Sequence, residues 1–197
     1  MIVYVESNFI LELALEQKEA LAAENILKLA EAGKIDLAFP SFALSETFTS
    51  IMHTQSERQH LRSASEVTIK QLKQSVQSEL HKQVVSDLPP ILTLLTKLIT
   101  RELELLNTAI ERMLIGGRLI EIDASNFREA LIYQRKFDIK SKDSIIYAAV
   151  LADLKRFSVM DLKCFLSRDR KLSMMIRKLK PNYSFTIVDI FPVSKKV

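Results

Sequence analysis

Residues 1–10 read MIVYVESNFI, and this stretch raises the question on which both the fold and the function depend. Residues 2–5 suit a buried β-strand. The run then meets Glu6, Ser7 and Asn8 before apolar residues resume. The strand could end in a solvated turn. Alternatively, it could end on a carboxylate that is held at the carboxyl edge of a sheet and binds a cation.

Composition and charge predict one globular domain. The chain has 197 residues, of which 48% are hydrophobic and 26% are charged, with three glycines and five prolines. The net charge of +4 tolerates a polyanionic partner without requiring one. The single cysteine, Cys164, excludes an internal disulfide and fits a reducing compartment. Neither a signal peptide nor a membrane span is expected, so we predict a cytoplasmic protein without a membrane partner.

Short β-like runs alternate with helical patterns along most of the chain. Strands are predicted at residues 2–6, 34–40, 118–123, 164–167 and 184–190. Helices are predicted at 8–32, in one or two pieces, and at 41–53, 124–137 and 142–155, with a short one between the last two strands. Strands separated by helices predict an α/β fold with a parallel sheet and helices on both faces.

The middle of the chain, residues 55–115, contains no strand pattern. Apolar residues recur at helical spacing on both sides of Pro89 and Pro90, which predicts two long helices that meet at a Pro-Pro turn. The hairpin could simply pack on itself and on the domain. Alternatively, its wide apolar face, which includes Leu95 and Ile99, could bind a partner or a second copy of the chain.

Four acids occupy positions that an α/β crossover would bring to one edge of the sheet. They are Glu6 after the first strand, Glu46 in the helix after the second strand, Asp143 at the start of a helix, and Asp169 after the fourth strand. Each has an ordinary explanation as a solvated strand end, a helix-surface acid or a helix cap. In open parallel sheets, however, ligands bind beyond the carboxyl ends of the strands.

Clustered carboxylates require a counter-charge. Two of them about 4 Å apart repel by roughly 4 kcal/mol at an effective dielectric constant near 20. Cations or protons must therefore neutralise such a site, and ligands that are all oxygen atoms favour Mg²⁺ or Mn²⁺. Such ions activate water and stabilise the leaving oxygen of a phosphodiester, which predicts a nuclease without a protein nucleophile.

These motifs resemble those of the PIN domain, a family of metal-dependent nucleases that includes the toxin ribonucleases of bacterial toxin–antitoxin pairs. The family pattern is a strand that ends in Asp-Thr/Ser-Asn/Ser, a Glu on the second helix, a helix that opens Asp-x-x-Ile-x-x-Ala, and a strand that ends in Thr/Ser-x-Asp. The matching segments are Glu6-Ser7-Asn8, Glu46, Asp143 to Ala149, and Ser167-Arg168-Asp169. The chain departs from the pattern by placing Glu6 where the family has Asp, and by its long 55–115 insertion.

The resemblance implies a three-layer α/β/α fold with a parallel five-stranded sheet, in a single domain 1–197 that carries the helical insertion 55–115. It also implies an endonuclease that requires Mg²⁺ or Mn²⁺ and acts on RNA rather than DNA. The metal ligands, which are also the catalytic residues, would be Glu6, Glu46, Asp143 and Asp169. Ser7, Asn8 and Ser167 would orient these carboxylates or a metal-bound water.

Basic residues flank two of the predicted metal ligands. They are Lys140, Lys142, Arg168, Arg170 and Lys171. They could form a solvated face, or they could contact a phosphate backbone. The partners predicted in this way are RNA, an antitoxin or another protein, and a second copy of the chain. The alternative function is a catalytically inactive PIN-like module that binds nucleic acid or protein.

Overall fold

The computed structural model describes residues 1–74, 78–157 and 162–168, together with the backbone of residues 185–187. The strands are β1 (Ile2–Val5), β2 (Asp36–Pro40), β3 (Arg118–Ile120), β4 (Lys163–Leu166) and β5 (Phe185–Ile187). The helices are α1 (Ser7–Ala14), α2 (Ala20–Glu31), α3 (Ser41–Leu72), α4 (Glu79–Gly116), α5 (Ala124–Phe137) and α6 (Ser141–Leu154).

The strands form a parallel sheet in the order β3-β2-β1-β4-β5. The predicted mixed α/β fold with a parallel sheet is therefore confirmed, although most described residues are helical. The chain builds the sheet outward from β1 through β2 to β3, and then crosses to the other side of β1 to form β4. The strand order thus reverses between β1 and β4, and this is where ligands bind in open α/β sheets.

Helix α6 packs on one face of the sheet. Ile2 and Tyr4 point to this face, where they join a buried cluster with Tyr147 and Val150 of the helix. Val3, next to them in β1, points to the opposite face because side chains alternate along a strand, and it is buried as well. Both faces of β1 are therefore covered, which explains why this strand consists of apolar residues without alternating polar ones.

Most predicted elements lie within a few residues of their observed bounds. The first helical segment is indeed split, into α1 and α2, and α5 has the predicted limits. Strands β2 and β3 are shorter than predicted, and β4 begins and ends one residue earlier, so that Ser167 follows the strand. The short helix predicted between β4 and β5 lies outside the described residues.

The chain divides into two compact units, one comprising residues 1–47 and 106–197 and the other residues 48–105. The second unit overlaps the predicted insertion 55–115. Whether the chain behaves as a single domain with this insertion stays a prediction. None of the helices within the described ranges is long and apolar enough to cross a membrane.

The predicted Pro-Pro turn is wrong. Pro89 and Pro90 lie inside α4, and the break between α3 and α4 falls earlier, after Leu72 and before Glu79. Two prolines inside a helix remove two backbone donors and strain the preceding turn, at about 3 kcal/mol or more each. The helix continues past the prolines, and its apolar stripe beyond them is buried at Leu92, Leu106, Ile110 and Met113. The Thr93 hydroxyl also donates to the Pro89 carbonyl at 3.0 Å.

Candidate active site

The site begins at the two strand ends that flank the reversal of strand order. Glu6 directly follows β1, Ser167 directly follows β4, and these strands pair in parallel. The Ser167 hydroxyl donates to Glu6 Oε1 at 2.9 Å. Strand β1 therefore does not end in a solvated turn, because Glu6 is only 4% exposed.

Glu6 also caps helix α1. Its carboxylate accepts hydrogen bonds from the backbone N–H of Asn8 at 3.3 Å and from the Asn8 side-chain amide at 2.7 Å. The Ser7 hydroxyl lies 3.1 Å from Glu6 Oε2. Burial raises the pKa of Glu6 above its usual value, and the hydrogen bonds from Asn8, Ser167 and Ser7 only partly oppose this shift. The site therefore holds a carboxyl group that favours a proton or another positive charge.

Ser7 links Glu6 to a second acid that is distant in sequence. Its hydroxyl lies 2.8 Å from Glu46 Oε2, on the first part of α3. A serine hydroxyl has one hydrogen and so donates to one carboxylate at a time. When it donates to Glu46, an acceptor position at Glu6 Oε2 is left for a proton or a cation. The predicted neighbourhood of Glu6, Ser7, Asn8, Glu46 and Ser167 is thus present in the structure.

Glu46 is more accessible than Glu6 and has a basic neighbour. Its side chain is 16% exposed, and Lys142 Nζ lies 3.4 Å from its Oε1 atom. Lys142 itself is 54% exposed. Water screens a pair of this kind, which typically contributes 0–1 kcal/mol. The lysine can therefore leave Glu46 at little cost when another cation or a phosphate approaches.

The structure gives less information on the other two predicted metal ligands, Asp143 and Asp169. Asp143 lies in the first turn of α6 and is partly buried. Asp169 lies outside the described residues. Among residues 1–74, 78–157 and 162–168, no three His, Cys, Asp or Glu side chains form a group that could hold a metal ion. The four-acid metal site therefore stays a prediction, and the structure joins two of its members through Ser7.

The donors that are present nevertheless suit the predicted cation. Mg²⁺ keeps several of its waters and commonly binds proteins through one or two carboxylates. Glu6 and Glu46 supply oxygen atoms, and the hydroxyl that they share leaves one acceptor position unfilled. Glu6 and Glu46 are thus residues that could hold a hydrated Mg²⁺ or Mn²⁺ ion.

The predicted phosphate-binding residues have mixed surroundings. Lys140 immediately precedes α6 and is exposed, and its side chain makes no capping bond to that helix. Lys142 pairs with Glu46, as described above. Arg168 forms an ion pair with Glu12, whose side chain is fully buried, and also donates to Gln17 Oε1 at 2.7 Å. Arg170 and Lys171 lie outside the described residues. Nucleic-acid contact by these five residues stays a prediction.

Sequence reasoning missed a second polar network, at the opposite end of α6. The Asp153 carboxylate, 2% exposed, accepts from the Tyr4 hydroxyl at 2.9 Å and from two Arg118 nitrogens at 2.8 and 3.0 Å. Arg118 also donates to Asp36 at 3.2 Å. Burial, and next the charge of Asp153, raise the pKa of Tyr4 well above its usual value. The one available signal was an acid in the otherwise apolar helix segment that precedes Leu154.

Comparisons with known proteins leave the family open. No family model matches the chain, and no curated protein matches it. Among solved structures, the chain is similar to the crystal structure of VapBC2 from Rickettsia felis bound to a DNA fragment from their promoter. The TM-score is 0.45 at 12% identity, over 96% of this chain and 100% of that chain. A likeness at this level assigns no function, so the function is inferred from the site itself.

Proposed function

We propose that this protein is a PIN-like endonuclease that requires Mg²⁺ or Mn²⁺ and hydrolyses phosphodiester bonds, with RNA as its substrate. The observation that carries the proposal is the Ser7 hydroxyl shared by Glu6 and Glu46 beside the reversal of strand order. A buried acid at this position destabilises the fold while it is charged and unpaired. Its presence there is explained if the site binds a cation.

In this proposal Glu6, Glu46, Asp143 and Asp169 would hold the metal. The metal would lower the pKa of a bound water and stabilise charge on the phosphate. Asn8 and Ser167 fix the Glu6 carboxylate by hydrogen bonds of 2.7 and 2.9 Å to the same oxygen, Oε1. They leave Oε2 to Ser7 and the backbone of Asn8, and Ser7 is the residue that also contacts Glu46.

Lys142 has a role of its own in the proposal. It pairs with Glu46, and its exposed ammonium would be available to a phosphate if a cation neutralised Glu46 instead. Lys140, Arg168, Arg170 and Lys171 would add phosphate contacts around the site. Binding by these residues should weaken as the salt concentration rises, because counterions are released from the nucleic acid.

The second candidate is an inactive PIN-like module that binds nucleic acid or protein. One observation favours it: protein donors already contact both oxygens of Glu6, and Lys142 already pairs with Glu46. A site satisfied in this way needs no metal for its stability. The long helical unit 48–105 would then supply the binding surface, for an antitoxin, another protein or a second copy.

Cleavage of a synthetic RNA with and without Mg²⁺ or Mn²⁺ separates these two functions. We expect divalent-dependent cleavage by the wild type and its loss in Asp143→Asn, with the circular dichroism spectrum unchanged. The matched control is Asp87→Asn, at an exposed position of α4, which should cut at the wild-type rate. Asp143→Asn with wild-type activity would remove this residue from the mechanism. No metal-dependent cleavage by the wild type would favour the inactive module.

A further inference from the structure

The unit formed by residues 48–105 contains an open groove of about 530 Å³ between α3 and α4. Its volume lies within the range of about 300–1,000 Å³ that is usual for ligand sites. The floor is apolar and is formed by Ile69 of α3 with Pro89 and Leu92 of α4. The proline ring contributes to this floor because α4 continues through it rather than turning there.

The rim of this α3–α4 groove is positively charged. Lys70 and Lys73 line it from α3, and Lys97 lines it from α4. All three side chains are exposed, and none forms an ion pair with any residue in the described part of the chain. The charged residues in the described lining of the groove therefore carry a net positive charge.

The acid in the described lining of the groove is already neutralised. Glu66 accepts from Arg62 Nε at 3.0 Å, and Arg62 also donates to the Thr96 hydroxyl at 3.1 Å. Arg62 thereby links α3 to α4 at the edge of the groove. These contacts occupy Arg62 and Glu66 and leave the three lysines available.

We propose that the α3–α4 groove binds an acidic peptide segment of a partner protein, with apolar side chains on the floor and carboxylates at the three lysines. Electrostatic complementarity of this kind gives specificity and speeds association. A nucleic acid fits less well, because no aromatic side chain lines the described part of the groove to stack on bases. The apolar floor, in contrast, suits aliphatic side chains spaced along a helix or strand.

The probe is a fluorescein-labelled peptide of the repeating sequence Glu-Leu-Leu-Glu, titrated with the full-length protein and followed by fluorescence anisotropy. EDTA is present so that metal-dependent cleavage cannot affect the RNA competitor used below. The test variant is Lys70→Glu with Lys97→Glu, one change on each wall. The matched control is Lys18→Glu with Lys34→Glu, which alters the net charge equally at exposed positions of the other unit.

We expect saturable binding by the wild type and the control, and binding at least about tenfold weaker for the test variant. A peptide with serine in place of leucine should bind at least about tenfold more weakly, because the floor would be left empty. Absence of saturable binding to the wild type, or equal loss in both double variants, would overturn the proposal. The proposal would also be overturned if oligouridylate displaced the peptide and its own binding depended on Lys70 and Lys97, because the groove would then bind RNA. RNA cleavage is measured separately, so failure here leaves the nuclease proposal standing.

Discussion

Replacement of Glu46 by Gln should stabilise the metal-free protein and weaken its metal binding. Glu6 and Glu46 contact the same Ser7 hydroxyl, which places two carboxylate oxygens about 5 Å apart. Two unit charges at that distance repel by roughly 3 kcal/mol at an effective dielectric constant near 20. The glutamine carbonyl can still accept the Ser7 hydrogen bond, so the main loss is the negative charge.

Two effects reduce the gain in stability. The exposed Lys142 pair with Glu46 is lost, at a cost of about 0–1 kcal/mol. Burial raises the pKa of Glu6. Where the pH approaches this raised pKa, part of the Glu6 population carries a proton, and the repulsion between Glu6 and Glu46 is weaker. We expect Glu46→Gln to raise the free energy of unfolding by about 1–2 kcal/mol at pH 8. The corresponding rise in melting temperature is about 2–8 °C.

The assay is thermal unfolding in EDTA and in increasing Mn²⁺, at pH 8 and at pH 4. In EDTA, the advantage of the variant should fade at pH 4, where Glu6 is protonated and the repulsion disappears. Mn²⁺ should raise the melting temperature of the wild type, and Glu46→Gln should need at least about tenfold more Mn²⁺ for the same rise.

The control for this experiment is Glu129→Gln. It also loses an exposed lysine pair, to Lys155 at 3.7 Å, but has no carboxylate partner in the described structure. The free energy of unfolding of Glu129→Gln should equal that of the wild type or be slightly lower, and its melting temperature should rise with Mn²⁺ as that of the wild type does. If Glu46→Gln behaves like this control in both stability and Mn²⁺ response, the two acids do not form a cation site.

Three further predictions test other parts of the structure. Because burial raises the pKa of Glu6, its folded state retains a proton above the unfolded-state pKa, and stability falls as pH rises through the folded-state pKa. In EDTA, the free energy of unfolding of the wild type relative to that of Glu6→Gln should therefore decline as the pH rises from the unfolded-state to the folded-state pKa of Glu6. A difference between the two proteins that stays constant with pH would contradict the pKa shift. Asp153→Ala should cost about 2–4 kcal/mol in urea unfolding, since it leaves the Tyr4 hydroxyl and Arg118 without their buried acceptor; a cost below about 1 kcal/mol would show that the network is unimportant. Light scattering should detect a homo-oligomer that forms through α4, whose Leu94 and Leu98 are exposed beside the half-buried Leu95 and Ile99 of the predicted face, and charged substitutions at Leu94 and Leu98 should yield monomer; a wild-type monomer would exclude this interface.

The sequence was sufficient for those features that depend on local pattern. Alternation of strand and helix predicted the parallel α/β sheet, and the position of Glu6 after an apolar strand predicted an acid at its carboxyl edge. Ser7, Asn8 and Ser167 were predicted from the resemblance to the PIN domain, whose motifs place them next to strand ends. Ser7 and Asn8 are close to Glu6 because they follow it in sequence, whereas Ser167 is close to Glu6 because β1 and β4 are paired in parallel.

Contacts between distant residues were decided by the tertiary structure. Two such contacts depend on how the helices pack on the sheet. They are the Ser7 hydroxyl shared by Glu6 and Glu46, and the network of Tyr4, Asp153 and Arg118. The passage of α4 through Pro89 was decided in the same way, because burial of its apolar stripe outweighs the local preference of proline. The hydrophobic period and the turn residues are properties of short segments of the sequence. The partner of a buried polar group, in contrast, is fixed only when two distant segments exclude water between them.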